Sequence, residues 1–179
     1  TKHLKTALAK IVDEPIEIAM RYGKPTMKHA YDQMIARHPD IEEVVLLPLY
    51  PHYAMSSYET AVEHAKTVHE KGNYKFSIQV VQPFYNHPAY ISALAEVMRP
   101  CLQSKSHLLF SYHSIPERHI HKSDITGNHC LAVANCCEVD SPAHTYCYKH
   151  QCLVTTRLVA EKLGLSKDKY SVAFQSKLG

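Results

Sequence analysis

Short β-rich runs alternate with longer helical segments along this chain, and that rhythm constrains its fold more than any other feature. Strands are predicted near 16–20 (IEIAM), 43–49 (EVVLLPL), 76–82 (FSIQVVQ), 107–112 (HLLFSY) and 170–175 (YSVAFQ). Helices are predicted over 2–12, 27–38, 57–71, 88–102 and 153–163. Ser56 and Glu59 have the spacing of a capping box, Asn86 and Pro88 suit a helix start, and Gly164 suits the residue just past a helix end. Strand, helix, strand in strict order means right-handed crossovers and parallel pairing, with strands buried on both faces. The class is α/β with doubly wound parallel sheets. In such sheets the ligand crevice lies beyond the carboxyl ends of the strands. That rule singles out Arg21 and Tyr22, the loop "YPHYAMSS", the segment "PFYN", and His113.

The interval 121–150 breaks the rhythm. It carries Gly127 and Pro142 but no periodic apolar face, so it reads as an insertion ordered by something other than a core. Cys130, Cys136, Cys137, Cys147 and Cys152 fall within 23 positions, spaced C-x5-C-C-x9-C-x4-C. A disulfide framework is disfavoured, since nothing marks an oxidising compartment. A zinc site is possible, with His129, His144 and His150 as further donors, although the C-x2-C knuckle is absent. An iron–sulfur cluster needs four converging thiolates, and a C-x4-C step also occurs in plant-type ferredoxins. The spacing leaves zinc and iron–sulfur open. Cys101 reads as an ordinary buried or half-buried thiol on a helix.

Charge excludes some partners. With 20 basic and 17 acidic side chains the net charge is +3, too small to argue for nucleic acid. No apolar run approaches the ~20 residues of a membrane span, and the N-terminus resembles an amphipathic helix more than a signal peptide. The expectation is a cytoplasmic protein with at most peripheral membrane contact.

Each candidate site residue has a structural reading beside its functional one. His113, at a strand end and followed by the stiffening Pro116, is either a hydrogen-bonded core residue or a base and metal ligand. The loop Tyr50, Pro51, His52, Tyr53 to Ser56 is either a packed turn or an aromatic wall for a planar ligand. Arg21 either pairs with Glu17 or Asp32, or holds a substrate carboxylate in its planar fork.

Six segments in order resemble the ferrochelatases, which insert ferrous iron into protoporphyrin to make haem: "AMRYGKPTM", "VVLLPLYPHYAMSS", "NHPAYISALAEVMRP", "FSYHSIPERH", "TTRLVAEKLGL" and "AFQSKLG". The resemblance implies two Rossmann-like lobes, each incomplete here. Residues 1–102 would be the C-terminal part of the first lobe and 103–179 the N-terminal part of the second, with a cysteine-rich insertion over about 121–152. It implies that His113 is the catalytic histidine, taking a pyrrole proton and handling Fe2+. Arg21, Tyr22, Tyr50, Pro51, His52, Tyr53 and Ser56 would line the protoporphyrin IX pocket; at His52 many relatives carry glutamine.

The insertion resembles the internal segment that holds a [2Fe-2S] cluster in some members. Four of Cys130, Cys136, Cys137, Cys147 and Cys152 would ligate it, with Zn2+ the lesser alternative and one of the adjacent pair Cys136 and Cys137 the spare. A glutamate of the family falls beyond "AFQSKLG", so the 179 residues alone are expected to show little or no chelatase activity. Two rival readings are a chelatase for another metal or tetrapyrrole and a metal-binding, redox-sensing module.

Overall fold

The computed structural model describes residues 1–103 and 106–175, which group into two units. The first comprises 1–48 and 59–81, the second 49–58 and 82 onward. The "KLG" that closes the last family-like segment lies outside the described residues, as does Ser176.

The first unit contains α1 (Lys2–Leu8), α2 (Met27–Arg37), β1 (Glu43–Leu46), α3 (Thr60–Gly72) and β2 (Ser77–Val80). β1 and β2 pair in parallel, Glu43 opposite Ser77 through Leu46 opposite Val80, as α/β alternation requires. β1 is shorter than the sequence suggested, because Pro48 has no N–H to give a ladder. Between sheet and helices lies a core of Met27, Tyr31, Val44, Ala65 and Phe76. Tyr31 fills its centre at 2% exposure, meeting the rings of Tyr74 and Phe76 edge-on at 5.2 Å and donating its hydroxyl to Ala65 O at 3.3 Å.

The segment 16–20 is not a strand. It makes one isolated bridge, Met20 to Thr26, and the Met20 amide turns back to Pro25 O at 2.8 Å. The Met20 amide is thus satisfied by a local turn instead of by a neighbouring strand. The capping box at Ser56 is also absent: a π-helical turn (Met55–Glu59) runs directly into α3, whose first residue follows Glu59 with no side-chain cap.

The second unit contains α4 (Pro88–Met98), β3 (Leu108–His113), α5 (Glu117–Ser123), α6 (Tyr148–Leu163) and β4 (Tyr170–Gln175). β3 and β4 are parallel, Leu108 opposite Tyr170 through His113 opposite Gln175, with α6 in the crossover between them. Ile91 of α4, Phe110 of β3 and Val159 of α6 form the core that joins helices to sheet. The start of α4 is capped by His87, whose Nδ1 accepts the Ala89 N–H, with Pro88 just inside, so Asn86 lies one residue outside the cap. α6 ends at Gly164, which adopts φ +69°, a left-handed value that suits glycine.

α6 starts five residues earlier than its periodicity indicated, because Cys147 is its N-cap and the thiol accepts the His150 N–H at 3.5 Å. Cys152 is therefore a helical residue. The cysteine-rich interval has a core of its own, which corrects the expectation that it had none: Cys130 and Cys147 pack with Ile120 and Ala143. Here buried thiols serve as small hydrophobes.

The interval is also tied by Asp124, whose Oδ1 accepts from Thr126 N at 2.9 Å and Thr126 Oγ1 at 2.6 Å. Its Oδ2 accepts from His129 N at 2.8 Å and Cys130 N at 2.7 Å. Burial raises this carboxyl's pKa. The Thr126 hydroxyl and the N–H groups of Cys130, Thr126 and His129 outweigh burial and hold it far below the usual carboxylate range. Asp124→Ala leaves two buried amides unpaired, and is expected to cost about 3 kcal/mol and to raise amide exchange at His129 and Cys130. Urea unfolding together with hydrogen exchange at those amides checks this.

Candidate functional site

The N-terminal half of α6 organises the second unit's candidate site, because three of its polar side chains are buried and each must find a partner. Gln151, at 1% exposure, accepts the Tyr53 N–H on Oε1 at 2.7 Å and donates from Nε2 to Thr145 O at 2.8 Å. Thr155 meets His52 Nε2 at 2.9 Å and donates to Tyr85 O at 2.7 Å. Thr156 bonds the Tyr112 hydroxyl at 2.8 Å. Residues 151 and 155 are one helical turn apart and grip consecutive residues, His52 and Tyr53, of the loop 49–58.

His113 is the last residue of β3, and its side chain is exposed. The backbone beneath it is fixed on two sides. Tyr148 donates its hydroxyl to His113 O at 3.0 Å, and the next amide, Ser114 N, bonds Gln175 O at 2.8 Å. Burial raises the Tyr148 phenol, so it stays a donor. The strand end thus holds an accessible imidazole on a backbone tied by two hydrogen bonds.

The half-buried His52 ring stacks near Tyr85 at 6.5 Å and meets the edges of Tyr112 at 5.6 Å and Tyr148 at 6.0 Å. Burial lowers its pKa to about 4. His52 is therefore neutral at physiological pH. Tyr53 is buried against Tyr58 and Tyr146, which makes it part of a packed turn. Pro51 is half-buried, whereas Tyr50 and Ser56 are exposed. The loop is thus a packed turn on one side and an open edge on the other.

Arg21 and Tyr22 belong to the first unit. Neither expected ion pair of Arg21 forms: Glu17 takes Lys5 and Arg37, while Asp32 takes Lys28 and the Tyr74 hydroxyl. Arg21 Nε donates to Thr60 O at 3.1 Å, and its guanidinium lies 4.6 Å from the centre of the Tyr22 ring. The ring is 76% exposed. Among the described residues the two terminal nitrogens of the fork have no anionic partner.

The five clustered cysteines are all unpaired thiols, and Cys130, Cys136, Cys147 and Cys152 are buried, whereas Cys101, expected to be buried or half-buried, is exposed. Cys147 is central. The Cys137 thiol donates to it most strongly, burial opposes, and the His150 N–H and the Cys130 thiol add, drawing the Cys147 pKa below that of an ordinary thiol. Cys130 is pushed up by burial and by Cys147, and Cys137 rises by donating to Cys147. Cys147 is thus the sulfur on which the Cys137 and Cys130 thiols converge as donors. Cys136 Sγ accepts the Leu131 N–H at 3.4 Å, and burial lifts Cys152 to about 12.

His129 and His144 donate to Cys136 O at 2.7 and 2.8 Å, and His150 donates to Cys137 O at 2.9 Å. These bonds fix the carbonyls of the adjacent cysteines. Among the described residues no group of three or more His, Cys, Asp or Glu side chains is arranged to hold a metal ion.

Local sequence reasoning overlooked Gln151, Thr155, Thr156, Tyr148 and Asp124. The one available signal was the 151/155/156 polar set on a helix that is otherwise apolar inward. A test of the His52 environment follows from linkage. In the folded chain His52 titrates near 4, while the unfolded chain takes its proton near 6.5. Stability is therefore whole above about pH 6.5 and is lost as pH falls towards 4, by about 2 kcal/mol for a half-buried ring. His52→Gln should flatten that part of the urea-midpoint profile against pH.

Comparison with known proteins agrees with the six segments noted above. A ferrochelatase family model matches residues 1–179. Similar relatives include ferrochelatases of Pseudomonas entomophila, 42% identical over 167 residues, covering 92% of this chain and 49% of that protein. The Pseudomonas syringae pv. tomato ferrochelatase is 41% identical over 181 residues, covering 100% of this chain and 53% of that protein. That of Pseudomonas fluorescens is 44% identical over 167 residues, at 92% and 48%. The chain spans about half the length of the curated relatives it matches. A parallel α/β architecture, the ordered motifs and the full-length match together show that this chain belongs to the ferrochelatase family.

Proposed function

We infer that the protein inserts ferrous iron into protoporphyrin IX to form haem, with His113 as the group that takes a pyrrole proton. The observation that carries this reading is the exposed imidazole at the carboxyl end of β3 on a backbone held by Tyr148 and Gln175. Insertion releases two pyrrole protons as the metal enters the ring. A planar macrocycle admits a metal only once a pyrrole tilts, so a site that binds the bent form better than the flat one lowers the barrier. A neutral imidazole beside the tilted ring accepts the first proton. The terminal nitrogens of Arg21, which have no anionic partner among the described residues, and the exposed face of Tyr22 suit a propionate and a ring edge. The open edge of the loop Tyr50 to Ser56 suits the macrocycle's face.

In this reading residues 1–102 and 103–179 derive from two α/β lobes. The six unpaired cysteines favour a reducing compartment, hence the cytoplasm, with at most peripheral membrane contact.

Four of the five clustered cysteines hold a [2Fe-2S] cluster. A two-iron cluster takes two protein thiolates per iron, whereas a zinc site needs three or four donors round one point. The supporting observations are the contact of Cys130 and Cys137 with Cys147 and the backbone N–H groups aimed at Cys136 and Cys147. When bound, such a cluster supplies one-electron chemistry and a cross-link between the insertion and α6.

Two measurements test these assignments. In the whole protein, His113→Ala is expected to lower kcat for zinc insertion, followed by porphyrin fluorescence, about 100-fold. Arg21→Ala should mainly raise KM, about 10-fold. An unchanged kcat in the His113 variant would remove the proton-transfer role. Anaerobically purified chain should carry about two iron atoms with visible charge-transfer bands, and Cys147→Ser should lose most of both. One zinc and no iron per chain would refute the cluster.

A further inference from the structure

Thr155 Oγ1 sits among three acceptor-capable atoms: Tyr85 O at 2.7 Å, Gln151 O at 3.1 Å and His52 Nε2 at 2.9 Å. A hydroxyl has one proton, and neither carbonyl can donate. Were that proton given to His52, the 2.7 Å contact with Tyr85 O would set two bare oxygens against each other. The proton therefore lies on the line to Tyr85 O, and the ring nitrogen must be the donor to Oγ1. Thr155 is 2% exposed, so the protein atoms around it set this pattern.

We propose that Thr155 is a positioning residue that locks His52 as its Nε2–H tautomer and so presents a bare Nδ1 as a second neutral nitrogen donor of the site. Among the described residues nothing hydrogen-bonds Nδ1. The Tyr85, Tyr112 and Tyr148 rings fix the plane of the imidazole. Tyr112 is the residue before His113, so the two histidines are framed by the same strand end. A neutral imidazole lone pair suits a borderline divalent metal or a departing pyrrole proton. That role rests on the function proposed above; the tautomer assignment does not.

Long-range proton–nitrogen correlation spectra of the isotope-labelled chain at neutral pH read the tautomer directly, with His52→Gln identifying the His52 signals. The wild-type chain is expected to show a protonated-type Nε2 and an unprotonated-type Nδ1. Thr155→Val, which keeps the shape and removes the hydroxyl, should average the two nitrogens, and Thr155→Ser should restore their separation. A protonated Nδ1 in the wild-type spectrum overturns the assignment without any variant having to fold, and so do unchanged His52 shifts in a folded valine variant. In the whole protein, Thr155→Val is expected to slow metal insertion about 10-fold, with most of the loss recovered in Thr155→Ser. Equal rates in all three would overturn the presented-donor role. If the tautomer is as assigned while His113→Ala retains full insertion activity, the lock stands and the proposed function falls.

Discussion

The second unit depends on a helix that buries polar side chains. Gln151, Thr155 and Thr156 lie at 1–2% exposure, where an unpaired amide or hydroxyl would cost about 1–3 kcal/mol each. All three are paired outside their own helix, to the Tyr53 amide, the His52 ring, the Tyr85 carbonyl and the Tyr112 hydroxyl. The requirement that buried polar atoms be satisfied thus becomes a positional constraint. It sets where the loop 49–58 and the end of β3 sit against α6. An apolar helix would bury its area equally well and leave those groups free to slide.

The cysteine-rich interval shows a second use of burial. Its thiols contribute to a small core with Ile120 and Ala143, while Asp124 gathers the backbone donors that the core cannot satisfy. Three imidazoles do the complementary job for the acceptors, taking the carbonyls of Cys136 and Cys137. The interval is therefore ordered through paired backbone groups as much as through apolar contact. Because Cys147 caps α6 and Tyr148 holds His113 O, the same two residues join this interval to the strand end that carries the exposed histidine.

Much of the architecture was legible along the chain. Alternation of β-rich and helical runs implied parallel pairing, and both sheets are parallel. The β3 and β4 runs were placed within a residue, since aromatic and aliphatic residues dominate both. The segment 16–20 is also largely aliphatic, but among the described residues it joins no ladder, and its Met20 amide closes a turn onto Pro25 O instead. The start of α6 was missed because its first turn carries Tyr, Lys and His with no apolar period, and its cap is a cysteine, a residue that propensity does not associate with caps. Cys147 caps through its sulfur, which accepts the His150 N–H, and the Cys137 and Cys130 thiols that also donate to it come from elsewhere in the fold.

Composition and motif order, then, established an α/β chain of the ferrochelatase family with a histidine at a strand end and a cluster of thiols. Those are properties of residue type and spacing, which survive without coordinates. Tertiary structure alone decided that His52 is neutral and bonded to Thr155, that Arg21 is free of Glu17 and Asp32, and that Cys147 is the acidic thiol. Each of these depends on burial and on partners up to 103 residues away, and neither desolvation nor a long-range hydrogen bond leaves a mark on local sequence.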